Sequence, residues 1–320
     1  MRPAYSPYVS IVIIVLNGAE TIQACLNSLA AQTYPQECFE TIVVDNGSDD
    51  GTIDVVRHYP VRLVCEPVHG YSRARNAGIE AARGEIVAFI DADCVADADW
   101  LTELIQPYRD CRIAGVGGAV RMLPSANPTL VEQFVDESGF VETLPSPKAN
   151  GILPHIVTRN AAYPKSILQQ AGLFDLSLKA CEDVDIARKV QLDLGAKIVL
   201  APSAVVYHQH RRSGKSLMNF MRRDGYGEIL MATRWKNYSD FQTDLPSELK
   251  RMAQQSITLL TYIRSFLFRS LVTRKKDRRY KIYPMLWFLA ESANIVGKIQ
   301  ALVDTKMLRC IPTQKGALKR

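Results

Sequence analysis

Residues 84–94 read Gly-Glu-Ile-Val-Ala-Phe-Ile-Asp-Ala-Asp-Cys, an apolar run of strand length that ends abruptly in two carboxylates. Ile86, Val87, Phe89 and Ile90 form a continuous hydrophobic segment, the pattern of a strand covered on both faces inside a mainly parallel sheet. Asp91 and Asp93 follow at its carboxyl end, the edge of an open α/β sheet where ligands bind. If the chain stays extended there, a period of two sends both carboxylates to one side. Two hard oxygen ligands aimed together suit a divalent cation that also carries phosphate oxygens. A polar loop after a strand, or a helix N-cap at Asp93, is the structural alternative.

The neighbouring segments repeat the strand-then-helix alternation. Val9 to Leu16 is a short β-branched run closed by Asn17 and Gly18, which predicts a buried first strand rather than an export signal. From Ala19 the spacing turns helical, with Ile22, Cys25, Leu26 and Leu29 on one face. Thr41 to Val44 and Val61 to Cys65 predict two more strands. The first ends in a loop of turn formers, residues 45–52, that leads into a helix near Ile53. The second leads through Gly70, a position that calls for close backbone approach or positive φ, into a helix reaching Ala82. Strands and helices alternating at this spacing predict an α/β fold with a mainly parallel sheet and helices on both faces.

Three further stretches follow later in the chain. The middle of the chain, Arg112 to Met122 and then Pro124 to Asn150, the latter rich in Pro, Ser and Asn, reads as loose, an extended or mobile connection. Glu182, Asp183 and Asp185 stand at the start of a predicted helix whose core positions are Val184, Ile186, Ala187, Val190 and Leu194 and which ends at Gly195. The helix dipole favours acids there, so capping alone accounts for some of them. Ala204 to Tyr207 predicts a strand ending at His208, with His210 close behind. A neutral imidazole is a reasonable metal ligand, and a surface histidine is the alternative.

Taken in order, Val9 to Ile13 with Asn17, Val43 to Thr52, Gly70 to Gly78 and Phe89 to Asp93 resemble the N-terminal half of family-2 glycosyltransferases of the GT-A fold. The similarity resumes at Arg159 to Tyr163, Gly172 to Asp175, Glu182 to Asp185 and Val205 to His208. The resemblance implies an inverting, hexosyltransferase-type transfer from a nucleotide-sugar donor, assisted by Mn²⁺ or Mg²⁺, in glycan or polysaccharide synthesis. It makes Asp93 the main metal contact with His208 beside it. Asp91 then lies near the ribose or second phosphate, and Asp45 accepts from the base. Asn17 and Arg75 fall on the donor side, Asp183 is the general base and Glu182 lies on the acceptor side. Ile14 and Leu16 depart from the small polar and aromatic residues that frequently meet the base in relatives. The domain organisation it implies is a catalytic domain over 1–210, with a nucleotide-sugar half at about 8–122 and an acceptor half at about 123–210, followed by an extension over 211–320.

Charge sets that extension apart. The net charge of +6 divides into −9 over residues 1–210 and +15 over residues 211–320. Leu217, Phe220 and Met221 beside Arg222 and Arg223 predict a basic amphipathic helix, and Leu259, Ile263, Phe266, Leu267 and Leu271 predict a second. Arg264 and Arg269 interrupt the latter, so it is a poor membrane span. The basic run Arg274 to Lys281 precedes Tyr283, Leu286, Trp287, Phe288 and Leu289. This alternation suits helices lying on an anionic membrane surface, as expected of an enzyme working at the cytoplasmic face on a saccharide or lipid-linked acceptor. Packing on the catalytic domain, or a dimer interface, is the competing explanation.

Other classes fit less well. Seven scattered cysteines with no Cys-x-x-Cys pair indicate neither a disulfide framework nor a zinc site, and point to a reducing compartment. A nicotinamide-dependent enzyme would need Gly-x-Gly-x-x-Gly after the first strand, where residues 16–21 read Leu-Asn-Gly-Ala-Glu-Thr. A nucleotide-sugar-binding scaffold without turnover is disfavoured by the presence of both Asp93 and Asp183. No specific nucleic-acid recognition motif accompanies the basic charge.

Overall fold

The computed structural model describes residues 5–140, 156–235, 245–272 and 278–308, and the chain divides into two compact units, 1–210 and 211–320. In the first unit β1 (Val9–Val15), β2 (Phe39–Asp45), β3 (Arg62–Cys65) and β4 (Ile86–Asp91) lie in the order β3-β2-β1-β4, all parallel. In β1, β2 and β4 the β-branched side chains are largely covered, and Ile11, Val12, Ile13, Ile42, Val43, Val44 and Val87 have almost no exposed surface, whereas β3 at the sheet edge is only partly buried. The connections are α1 (Ile22–Ala30), α2 (Thr52–Val56) and α3 (Tyr71–Ala81). The buried face of α1 is Ile22, Cys25, Leu26 and Leu29, as its spacing predicts. Gly70 takes φ +151°, a conformation open to glycine and costly to residues with a Cβ.

The sheet continues beyond β4 with β7 (Asn160–Pro164), β6 (Ile113–Met122), β8 (Lys197–His208) and β5 (Cys94–Ala96), making eight strands. Strand β7 is antiparallel to β4 and β6, whereas β6 and β8 run parallel and β5 pairs antiparallel with β8. Gly118 stands opposite Ala201 but Ala119 stands opposite Val205, so residues 202–204 are bulged out of register. Asn160, fully buried, spans this break. Its amide donates to the carbonyls of Ala119 and Ala204, at 2.8 and 2.9 Å, and its oxygen accepts from the Trp100 indole at 2.8 Å. A bulge re-aims the strand beyond it, and the re-aimed end of β8 is the one that carries His208.

Among the described residues the unit has four more α-helices: α4 (Trp100–Ile105), α5 (Leu130–Ser138), α6 (Lys165–Gln170) and α7 (Glu182–Arg188). Strand β6 and helix α5 correct the expectation of a loose, extended or mobile connection over Arg112 to Met122 and after Pro124. Thr129 and Glu132 form a reciprocal capping box, and Gly139 closes the helix at φ +71°. The rest of the predicted connection, including Pro145, Pro147 and Asn150, lies outside the described residues. Helix α7 is also shorter than its apolar spacing predicts, since Lys189–Asp193 adopt a π-helical turn before Gly195.

The second unit is helical among its described residues: α8 (Gly214–Arg234), α9 (Leu245–Val272) and α10 (Arg278–Leu308). Gly225 of α8 and Gly297 of α10 set a close helix crossing. A Cβ on Gly225 would strike the Asn294 carbonyl, and one on Gly297 the Arg222 carbonyl. Beside the crossing the interior is polar. Lys298, 1% exposed, places Nζ 2.8 Å from Glu228, 3.4 Å from Glu248 and 3.1 Å from the Gln255 amide oxygen. Aliphatic side chains point the other way: Ile257, Leu260, Leu267 and Phe268 of α9 and Val296, Ile299 and Val303 of α10 are all at least half exposed. Among the described residues no helix is long and apolar enough to cross a membrane. Of the basic run after Val272, residues 274–277 lie outside the described residues.

Candidate active site at the carboxyl ends of the strands

The loops after β1 and β2 lock together before any ligand is considered. The Asn17 amide donates to the Ser48 hydroxyl and its side-chain oxygen accepts from the Asp49 amide, each at 2.9 Å. The Gly18 and Ala19 amides donate to Thr52 and Asp50. Asn17 has φ +55°, a conformation asparagine tolerates better than most residues. Asp45 closes β2 with one carboxylate oxygen accepting from the amides of Gly47 and Ser48, both at 3.1 Å. Its other oxygen, Oδ1, is buried and has no partner among the described residues. A buried acceptor left unpaired costs about 1–3 kcal/mol, which makes this oxygen a candidate acceptor for an N–H or O–H of a ligand.

Sequence reasoning passed over Asn46, which holds the third loop in place. Its side chain donates to the carbonyls of Glu66 and Val68 and accepts from the Gly70 amide. The signal was present, an asparagine directly after a strand and before a glycine, but its partners lie 20 to 24 residues away.

Asp91 is the last residue of β4, and the chain then turns at Ala92 and Asp93 into β5. Extended structure therefore does not continue, and no helix follows for Asp93 to cap. The pairing of β5 with β8 aims Asp93 instead: Cys94 lies opposite His208, and the Gln209 amide donates to the Asp93 carbonyl at 3.0 Å. His208 Nε2 stands 3.4 Å from Asp93 Oδ2, and the imidazole is 2% exposed. A carboxylate and a buried imidazole on the open edge of a sheet are a donor pair suited to a divalent metal whose other ligands are oxygens. Among the described residues no larger group of His, Cys, Asp and Glu is gathered into a complete cage. The thiols of Cys25 and Cys94 report the local field. Burial pushes both above the ordinary thiol range, and the charges of Asp93 and then Asp91 push them further.

Arg75 joins this edge to the second acidic motif. Its guanidinium, 5% exposed, donates to Glu182 at 2.6 Å and lies 3.9 Å from Asp91. The rings of Tyr71 and Phe174 flank it, each centroid at 5.7 Å. Asn76 adds a two-way clamp on the Phe174 backbone, donating at 2.9 Å and accepting at 3.0 Å. The start of α7 is thereby tied to α3 and the end of β4. Within that turn Glu182 is engaged by Arg75, and Asp185, 1% exposed, pairs with Lys189 at 3.3 Å. Asp183 is more exposed than either, and its Oδ1 accepts from the Val184 amide at 2.9 Å. Burial, and then the Asp183 charge, raise the pKa of the buried Tyr163 phenol.

The family model for glycosyl transferase family 2 matches residues 10–172. Glycosyltransferase AglE of Haloferax volcanii is 31% identical over 229 residues, 70% of this chain and 73% of the relative. The poly(ribitol-phosphate) beta-N-acetylglucosaminyltransferase TarS of Staphylococcus aureus is 25% identical over 69% of this chain and 39% of the relative. Among solved structures, the mannosyltransferase PcManGT of Pyrobaculum calidifontis, in complex with GDP-Man and Mn²⁺, superimposes with a TM-score of 0.62 at 20% identity, over 95% of this chain and 89% of that one. The shared architecture is the GT-A fold that the ordered motifs imply. The chain belongs to glycosyl transferase family 2.

Proposed function

We propose that residues 1–210 perform an inverting sugar transfer from a nucleoside-diphosphate sugar to a saccharide or lipid-linked acceptor. The supporting observation is that Asp93 and buried His208 meet at 3.4 Å on the same sheet edge as the unpartnered Asp45 oxygen. Asp45 Oδ1 accepts an N–H from the base, with Asn17 and Asp91 on the same donor side. Arg75 serves that side indirectly, by holding the Asp91 edge against Glu182. A divalent cation, Mn²⁺ or Mg²⁺, bound by Asp93 and His208 would neutralise charge developing on the leaving diphosphate. Asp183 takes the proton of the acceptor hydroxyl as its oxygen bonds to the anomeric carbon and the bond to the diphosphate oxygen breaks. The PcManGT complex supports a nucleotide-sugar donor and a metal for this fold. The base and sugar used by this chain are settled by thermal melts of the full-length protein with Mn²⁺ and a panel of nucleotide sugars. The true donor at a hundred times its Kd stabilises by about 2.7 kcal/mol, and a panel that shifts nothing in the presence of metal overturns the assignment.

The extension over 211–320 brings this site to an anionic membrane, at the cytoplasmic face. Its charge of +15 and the exposed aliphatic side chains of α9 and α10 support that placement. Full-length protein is expected to float with liposomes in proportion to their anionic lipid, and less so as salt rises. Replacing Leu260 and Phe268 together with Ser should reduce flotation at every lipid composition. Failure of the wild type to float even at low salt leaves packing between proteins as the role of this face.

A further inference from the structure

The two buried histidines at the end of β8 form a chain with a carboxylate at each end. His208 presents Nε2 to Asp93, and its Nδ1 lies 3.5 Å from Nδ1 of His210. The rings are tilted by 50° with centroids 5.8 Å apart, and His210 is 5% exposed. His210 in turn presents Nε2 to Asp136 of α5, 3.8 Å away. Two facing Nδ1 atoms are compatible only when one carries the hydrogen and the other the lone pair. We propose that His210 and Asp136 are positioning residues that hold His208 in the tautomer able to bind the metal.

The proton positions follow from one requirement. To offer a lone pair to a cation beside Asp93, His208 must leave Nε2 bare and carry its hydrogen on Nδ1, which then donates to Nδ1 of His210. His210 therefore carries its own hydrogen on Nε2, facing the Asp136 carboxylate. An acceptor behind a metal-ligating histidine fixes the ring orientation and raises the basicity of the ligand nitrogen. The main chain is latched in parallel. The Gln209 amide donates to the Asp93 carbonyl, and the Leu123 amide donates to the His208 carbonyl at 2.9 Å. The backbone thus sets where His208 stands, and His210 sets which nitrogen it offers. Helix α5 acquires a purpose in this arrangement, because its last turn supplies the terminal acceptor.

The inference rests on Asp93 and His208 as metal ligands, and the experiment separates the two claims. Binding of Mn²⁺ alone to the full-length protein is followed by loss of the free-ion electron paramagnetic resonance signal, in wild type, Asp93→Asn, His210→Leu and His210→Gln. Removing such a supporting partner typically costs about ten- to a hundredfold in metal affinity, and that loss is expected for His210→Leu. His210→Gln should bind nearly as wild type, because its amide oxygen accepts from His208 and its nitrogen donates to Asp136. This rescue distinguishes a hydrogen-bonding role from simple filling of space. Wild-type affinity in His210→Leu, with loss in Asp93→Asn, overturns the positioning role alone. Equal loss in the Leu and Gln variants overturns it as well. Wild-type affinity in Asp93→Asn overturns the metal assignment on which it rests.

Discussion

Asp183→Asn is expected to yield a folded protein that binds its donor normally and transfers sugar about 10²–10⁴ times more slowly, the usual contribution of a positioned general base. The side-chain oxygen of Asn can still accept from the Val184 amide, so the first turn of α7 keeps its local bond. What is lost is the ability to take a proton. That proton leaves the acceptor hydroxyl, so kcat falls while the donor-induced rise in Tm is unchanged. The neighbouring acids are poor substitutes, Glu182 being held by Arg75 and Asp185 by Lys189. Steady-state kinetics beside donor melts decide the matter. Transfer within tenfold of wild type would move the base to another group.

The second large effect is expected at Asp93→Asn, which should lose about 10²–10³ in kcat/KM, in line with removal of one preorganised group that stabilises developing charge. Asn preserves the volume and leaves the main-chain bond from the Gln209 amide in place. The fold should therefore survive, and the damage should concentrate in the metal-dependent part of donor affinity. Donor titrations with and without Mn²⁺ should differ for wild type and coincide for the variant. Undiminished turnover in excess chelator would exclude a metal requirement altogether.

How far the chain could be read in advance depends on how local each cause is. The parallel strands were legible because double burial demands unbroken runs such as Ile86 to Ile90 and Val9 to Val15. The face of α1 was legible because four apolar residues recur at helical spacing. The direction of Asp93 was not, since it is decided by pairing between Cys94 and His208, more than a hundred residues apart. The joining of the two acidic motifs through Arg75 is hidden for the same reason, its partner Glu182 lying 107 positions away. Helix α5 is a different case. Its Thr-x-x-Glu capping signature at Thr129 and Glu132 stands in the sequence amid prolines, which on their own favour an extended chain. In the extension the burial of Lys298 and Glu248 inverts the usual placement of charged side chains, and nothing in the local spacing announces it.

That inversion bears on how the protein behaves in a test tube. A helical unit with a lysine and its acids inside and aliphatic side chains outside has two opposing tendencies in plain buffer. The net +15 of residues 211–320 keeps copies apart, whereas Ile257, Leu260, Val296 and their neighbours draw them together. Salt weakens the first tendency and leaves the second intact. Colloidal stability should therefore be best at low ionic strength, where most basic proteins are comfortable but few membrane-associated ones are purified. A mild detergent should substitute for dilution, because it covers the aliphatic surface without disturbing the charges beneath.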